Sequence, residues 1–464
     1  MTDAYNLADN AWVGVLDATG THDASLRELL TNLPTIRQIA TGNPLADAAI
    51  TQLLLAITLD CQAHQADNPT ERQHRYDTWL DEHHHQLNLF DPTRPFAQYA
   101  PQKDLDNPPQ INTLFYNFDT ADVAFSSYDS LTNPTSNATL TPAQAAQLLL
   151  VRQHFSVGGI QSRAARTISG TSSALAALDG NHPIILPRTG TLAEDLQLMA
   201  QAATDSDAPL GTLHLGLDSD APLGTVLDKP GILDVLTYPS RAMCLFANPD
   251  GLVDRAHYAE GMRLKAEQLT PELWPATTWT VGKKGPEPRK AHLSRPAWQQ
   301  LLDAYSLDDT PGLLGHLPAG THLTLTTMSA YTSRVDGIYH QHATTPTIST
   351  EEAKELSRLV SEVRKAVSKD NYITARALKE GSITATNIGD TLTDTMRPEI
   401  TANLGRIVTS RMAGMVTAEQ ADRQAQRLVA AARDQATSFT TAHPAGTANR
   451  IAQANRYPWK GTLK

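Results

Sequence analysis

Thr350-Glu-Glu-Ala-Lys-Glu-Leu-Ser-Arg-Leu-Val-Ser-Glu-Val-Arg-Lys-Ala-Val367 is the stretch on which the reading of the fold turns. Ala353, Leu356, Leu359, Val360, Val363, Ala366 and Val367 recur at helical spacing and form one apolar stripe. Thr350 is placed to cap the helix, and Glu351 and Glu352 sit in its first turn, where the helix dipole favours negative charge. A second helix is expected over about 371–379. A third is expected over roughly 397–415, with Leu404, Ile407, Val408 and Met412 inward. The fourth opens at Thr417 with Gln420 at capping-box spacing and runs to about Phe439. Pro444 and Gly446 set off a short tail helix. Antiparallel helices on short loops predict a four-helix bundle over residues 350–464.

Upstream the character changes. Asn6 to Leu16 reads as a short strand, followed by a turn and a capped helix at Ser25-Leu-Arg-Glu-Leu-Leu30. Asp47 to Cys61 is apolar nearly all round, as a buried core helix must be. A polar helix with Trp79 and Leu80 ends near Phe90-Asp-Pro. Between about 117 and 141 helical periodicity is lost, and a loop that long is usually functional. Thr141-Pro142 then opens a helix to His154. It leads into Phe155-Ser-Val-Gly-Gly-Ile-Gln-Ser-Arg163, with Arg166 close behind. Residues 180–345 mix short strand-like runs with helices, and His316 to Met328 carries the clearest alternation, at Leu323 and Leu325. The predicted class is α+β: a large irregular mixed N-terminal domain over residues 1–345, followed by the C-terminal four-helix bundle.

Bulk composition agrees with two domains. The chain has 464 residues, 41% hydrophobic and 19% charged, which is ordinary for a folded protein. The apolar run at Leu53 to Leu59 is far too short for a membrane span. The N-terminus lacks the pattern of a signal peptide, so a cytoplasmic protein is expected. Cys61 and Cys244 stand far apart in apolar surroundings and read as structural thiols. The net charge of −11 is unevenly spread: residues 351–464 hold 17 Lys and Arg against 12 Asp and Glu, whereas residues 1–350 hold 21 against 37. A basic C-terminal part on an acidic body suits phosphate binding, and equally a solvated helical surface.

No catalytic signature stands out. The chain lacks a nucleophile elbow, a phosphate loop and a dinucleotide fingerprint. Gly282-Lys283-Lys284-Gly285 lacks the upstream glycine and hydroxyl of a phosphate loop and reads as a basic turn. His64, His74 and His83-His84-His85 form a histidine-rich region, but consecutive residues on a helix point about 100° apart, so the triplet does not converge on one metal. No catalytic residue, metal or cofactor is expected. A metal-dependent hydrolase using this region, or a helical scaffold that binds protein, are the contrasting readings.

Three ordered segments carry a resemblance: Asn6-Leu-x-x-Asn-x-Trp12 with the Ser25 helix behind it, Asp91-Pro-Thr-Arg-Pro-Phe-Ala-Gln98, and Phe155 to Arg163 after a long loop and a Thr-Pro-capped helix. With the mixed body and terminal helices, this set resembles the CasA family, the large subunit of the type I-E CRISPR Cascade complex. Arg94 stands where that family's turn has histidine. The resemblance implies a subunit beside crRNA-containing partners that probes double-stranded target DNA for the protospacer-adjacent motif. It also implies help in opening the first base pairs for R-loop formation and a platform for a helicase-nuclease, all in antiviral defence. Base pairing then reads the sequence while protein reads the flanking motif.

The same resemblance assigns residues. The family's glycine loop falls on Gly158 and Gly159, where a missing Cβ lets backbone approach a groove; from the residues alone, a turn ending a helix fits as well. The lysine finger that enters the minor groove falls on Lys265, with Arg263 as the alternative occupant. The wedge maps to Thr332-Ser-Arg-Val-Asp-Gly337, where the family's glutamine is absent and Arg334 or Val335 takes its place; a simple β-turn is the other reading. Phe125 in the long loop is the stacking residue for crRNA. Lys283 and Lys284, with basic residues of the bundle, would follow phosphates.

Overall fold

The structure, a computed structural model, describes residues 5–100, 111, 139–217, 221–282, 285–291, 293, 295–308, 312–331, 334–377 and 385–438. Phe125, Lys283, Lys284 and the expected tail helix lie outside the described residues. The chain divides into two compact units, one of Met1–Arg295 with Pro311–Ala343 and the other of Pro296–Thr310 with Thr344–Lys464.

The first unit opens with β1 (Val13–Asp17) and β2 (Gly20–Ala24), an antiparallel pair, and α1 (Leu26–Asn32). Ser25 and Glu28 form the expected capping box, with Oγ accepting from the Glu28 N–H at 3.2 Å and the Glu28 carboxylate accepting from the Ser25 N–H at 2.8 Å. β3 (Gln38–Ile39) joins the free edge of β1. α2 (Pro44–Asp60) follows, with 14 of its 17 residues buried. Each buried Leu or Ile there contributes about 1.5–3 kcal/mol, so this helix is the spine of the unit. It starts three residues before the apolar run, because Asn43 caps it and Pro44 suits the first helical position.

α3 (Pro69–His83) and α4 (Pro142–Phe155) come next, then β4 (Gly159–Ile160), α5 (Arg163–Ser169) and β5 (Ser173–Ala174). β6 (Ile184–Arg188), α6 (Leu192–Thr204), α7 (Ile232–Thr237), β7 (Arg241–Ala247) and β8 (Val253–Glu260) continue the unit, with β7 and β8 an antiparallel pair. α2 packs against α4, α6 and α7. β9 (Trp279–Gly282) and β10 (Gly285–Pro288) pair antiparallel. α8 (Ala297–Tyr305) belongs to the second unit; α9 (Leu313–His316), β11 (His322–Tyr331) and β12 (Arg334–Thr344) return the chain to the first. The alternation expected near Leu323 lies in β11, the centre of a sheet ordered β12-β11-β6.

The segments that carried the resemblance are structural joints. Trp12 donates its indole N–H to the Leu7 carbonyl at 3.0 Å and meets Phe96 edge-on at 6.5 Å. Gln98 is buried, donating to the Leu89 carbonyl at 2.8 Å and accepting from the Leu245 N–H at 2.7 Å. Asp91 folds the turn by accepting from the Thr93 and Arg94 N–H groups, each at 2.8 Å. Both cysteines are free, and burial pushes each thiol up to about 12.

The second unit contains α8, α10 (Thr350–Ala377), α11 (Ala385–Met412) and α12 (Ala418–Ser438). Ser349 rather than Thr350 caps α10, accepting from the Glu352 N–H at 3.3 Å. The helices expected at 350 and 371 are one, since no glycine or proline lies between Val367 and Asn371. α11 starts well before residue 397 and keeps Pro398 inside it. The Thr417–Gln420 capping box at the start of α12 is as expected, with reciprocal bonds of 3.2 and 2.8 Å. Among the described residues the C-terminal segment thus supplies three long helices. α8, from before β11, packs on α10 and α11: Arg364 donates to Gln299 at 2.8 Å, and Gly405 lies so close to Trp298 that a Cβ there would stand 2.8 Å from the indole nitrogen.

Candidate nucleic-acid interface

The Phe155–Arg163 segment begins where α4 stops. Ser156 takes an extended backbone, and Gly158 does not adopt a left-handed conformation, so the glycines do not cap the helix. The reason for glycine is close approach: a Cβ on Gly158 would stand 2.9 Å from both the Ala174 carbonyl oxygen and the Ala176 nitrogen. β4 and β5 form an antiparallel ribbon of only two pairs, Gly159 with Ala174 and Ile160 with Ser173. So short a ladder needs other support.

That support is a buried ion pair which sequence reasoning missed. Arg241 and Glu260 face each other across one end of the β7–β8 pair, and their side chains are 4% and 1% exposed. Arg241 Nη2 donates to the Val157 carbonyl at 2.9 Å and to the Leu175 carbonyl at 2.8 Å, gripping both strands of the ribbon. Nη1 donates to the Ser240 carbonyl at 2.7 Å and lies 3.7 Å from Glu260 Oε2. The Glu260 carboxylate accepts from the Leu175 N–H at 3.0 and 3.1 Å. Burial draws the Arg241 guanidinium pKa down, and the facing Glu260 carboxylate opposes that shift. Gln161 completes the support, accepting from the Glu260 N–H at 2.7 Å and donating to the Thr171 hydroxyl at 2.6 Å.

Arg263 is joined to the same network. Its Nε donates to Glu260 at 2.9 Å and its Nη2 to the Ser173 carbonyl at 2.7 Å, so it tethers the ribbon rather than reaching out. Lys265, two residues on, is exposed at the head of a 3-10 turn over Ala266–Gln268. Its N–H donates to the Gln268 side chain at 3.1 Å, and among the described residues its ammonium has no partner. The glycine ribbon and Arg263 are therefore joined through one buried pair, and Lys265 follows two residues on. Ile160 stands 86% exposed on the ribbon, and Arg163 and Arg166 are exposed on the adjoining α5. Arg334 and Val335 open β12, while Thr332 and Ser333 lie outside the described residues.

Three of the five histidines in the histidine-rich region are occupied individually. His83 stacks on Trp79 at 4.5 Å, His84 lies 2.6 Å from Asp9, and His64 Nδ1 lies 3.2 Å from the Thr58 carbonyl. Among the described residues no three His, Cys, Asp or Glu side chains gather as a metal site would require, and no helix is long and apolar enough to cross a membrane. In the helical unit a cavity of about 300 Å³ is rimmed by Glu352, Glu355, Glu362, Glu419 and Asp422, with Arg358 and Arg411 among them. Arg411 and the Ser349 N–H hold the Glu352 carboxyl down at about 2. Four of the C-terminal bases, Arg450, Arg456, Lys460 and Lys464, lie after residue 438 with no acid among them. The basic excess read from the C-terminal segment thus belongs to its last residues, not to the described helices.

Fold and site together define a mixed α+β protein with a short glycine-containing ribbon held by a buried ion pair, and with a helical second unit. The chain belongs to the family described as CRISPR-associated protein Cse1, whose model matches residues 6–441. It is 28% identical over 269 residues to the CRISPR-associated protein CasA/Cse1 of Thermus thermophilus. The match covers 54% of this chain and 50% of that protein, so it spans about half the relative's length. In fold it is similar to the solved structure of Thermus thermophilus CasA (Cse1), with a TM-score of 0.76, 19% identity and 98% of each chain covered. Thermobifida fusca Cse1 gives a TM-score of 0.74 at 17% identity, covering 97% of this chain and 95% of that one. A chain of a CRISPR RNA-guided surveillance complex gives 0.72 at 19% identity, covering 98% and 99%.

Proposed function

We propose that this chain is the large subunit of a type I-E CRISPR surveillance complex, a binding subunit rather than an enzyme, working in the cytoplasm. In this reading the N-terminal body, residues 1–345, recognises the protospacer-adjacent motif in double-stranded DNA and helps start duplex opening and R-loop formation. Residues 350–464 form the helical part, and the chain provides the platform for the helicase-nuclease. What supports the reading is the buried Arg241–Glu260 network, which ties the ribbon of Gly158 and Gly159 to Arg263, two residues before the exposed Lys265. Gly158 and Gly159 bring backbone to the minor groove, Lys265 meets the acceptors on its floor, and Ile160 touches the exposed base step. Arg163, Arg166, Lys283 and Lys284 follow phosphates. Arg334 or Val335 is the wedge, and Phe125 stacks on crRNA. Arg263 serves this surface as a tether.

The test is reconstitution with crRNA and the partner subunits, with and without this chain. Target binding should require the chain, depend on the flanking bases and fall steeply with salt. Binding that is unchanged without the chain, or indifferent to the flanking bases, contradicts the reading. Of the histidines of the alternative hydrolase, His64, His83 and His84 are engaged individually, and no observation favours that second reading.

A further inference from the structure

The Arg241–Glu260 pair is more elaborate than stability demands. A buried ion pair seldom outperforms apolar residues of the same volume, because desolvating both charges costs several kcal/mol before any attraction is counted. What such a pair provides is fixed geometry, since each oxygen and N–H must meet a particular partner. Here the partners are the ribbon itself. Leu175 gives its N–H to Glu260 at 3.0 Å and its carbonyl to Arg241 at 2.8 Å, so side chains replace the ladder bonds that a two-residue strand lacks. The opposite strand is caught at Val157, 2.9 Å from the same guanidinium. Glu260 then passes the constraint on to Arg263 at 2.9 Å, which returns to the ribbon at the Ser173 carbonyl, 2.7 Å away. The far side of the Lys265 turn is pinned separately, by the Arg263 N–H to Thr225 at 2.7 Å and the Gln268 side chain to Leu227 at 2.9 Å. The glycine ribbon and the lysine turn are thus separate in sequence by about a hundred residues, yet share one carboxylate.

We propose that Arg241 and Glu260 are positioning residues that lock the Gly158–Ile160 ribbon and the Arg263–Lys265 turn into one preformed unit, so that the flanking motif is read by both together. This rests on the proposed function. Neither residue touches DNA; each acts by denying the ribbon any other position. Preorganisation of this kind sharpens discrimination between motifs more than it raises affinity for DNA in general, because phosphate contacts tolerate movement and groove contacts do not.

The experiment uses the full chain in the assembled complex and compares duplexes that differ only in the flanking motif. Glu260→Gln keeps the shape and an acceptor but removes the charge. It should lower the preference for the correct motif roughly tenfold, the scale of an ordinary coupling between sites. Amide exchange should quicken at residues 157–160 and at 263–266 alike. Arg263→Gln, at a partly exposed side chain, cuts the link from Glu260 to the turn together with the tether to the Ser173 carbonyl, and leaves the Arg241–Glu260 pair in place. In that background Lys265→Ala should cost less motif preference than it does alone, because the turn is already loose. If Glu260→Gln folds, exchanges faster in the ribbon and still discriminates as the parent does, the proposal is overturned. Strict additivity of Arg263→Gln and Lys265→Ala overturns it too, and that arm stands even where Glu260→Gln fails to fold. A parent complex with no motif preference would instead sink the proposed function, which keeps the two failures apart.

Discussion

β4 and β5 pair over two residues each and are held by side chains from β7 and β8, whereas β11 and β12 run ten and eleven residues and share a sheet with β6. Both regions carry residues proposed to meet DNA. The long pair belongs to a three-stranded backbone ladder, whereas the short ribbon depends on specific polar partners and on glycine. In the ribbon, Gly158 is needed for a contact inside the protein.

The sharpest way to break this contrast is Arg241→Ala, which takes one of its two cations from the buried Glu260 carboxylate and leaves the Val157, Leu175 and Ser240 carbonyls without their donor. It should cost roughly 3–5 kcal/mol in a chemical denaturation experiment. A near-neutral result would mean that the ribbon does not depend on the pair. Gly158→Ala should cost about 1–3 kcal/mol by forcing the strands apart, and should also lower motif preference. Gly405→Ala, overpacked against Trp298 to a similar extent, should cost about as much stability by the same measurement while leaving motif preference intact. Arg334→Ala and Val335→Ala sharpen the comparison at the other region: stopped-flow fluorescence of a base analogue beside the motif should show slower opening for one of them only. The smallest effect belongs to Lys265→Ala, with stability changed by less than about 0.5 kcal/mol and the salt dependence of DNA binding reduced by about one unit of slope.

Much of the architecture was legible because local rules governed it. The apolar run of α2, the Ser25 and Thr417 capping boxes and the Thr141-Pro142 helix start each follow from a few adjacent residues. Expectation parted from structure where tertiary context decided. A helix start is expected near residue 397, yet α11 begins at Ala385 and runs through Pro398. α8 precedes β11 in sequence but packs with helices fifty or more residues later, which no pattern along the chain announces. At the site, Gly158 and Lys265 came from the resemblance alone. Arg241 and Glu260 sit at strand ends, where a charged residue normally faces water, so nothing local marks them as buried. Bulk charge misled in another way: a net count over 114 residues concealed that the excess lies in the last 26.

The central claim is that the ribbon faces the duplex beside the target. A photoreactive residue placed at Ile160 in the assembled complex tests it directly, with the 77% exposed Met415 of the helical unit as control. The account predicts crosslinks from position 160 to the flanking base pairs, lost when the motif is changed, and none there from position 415. A complex that discriminates between motifs yet gives no crosslink from position 160 would contradict it.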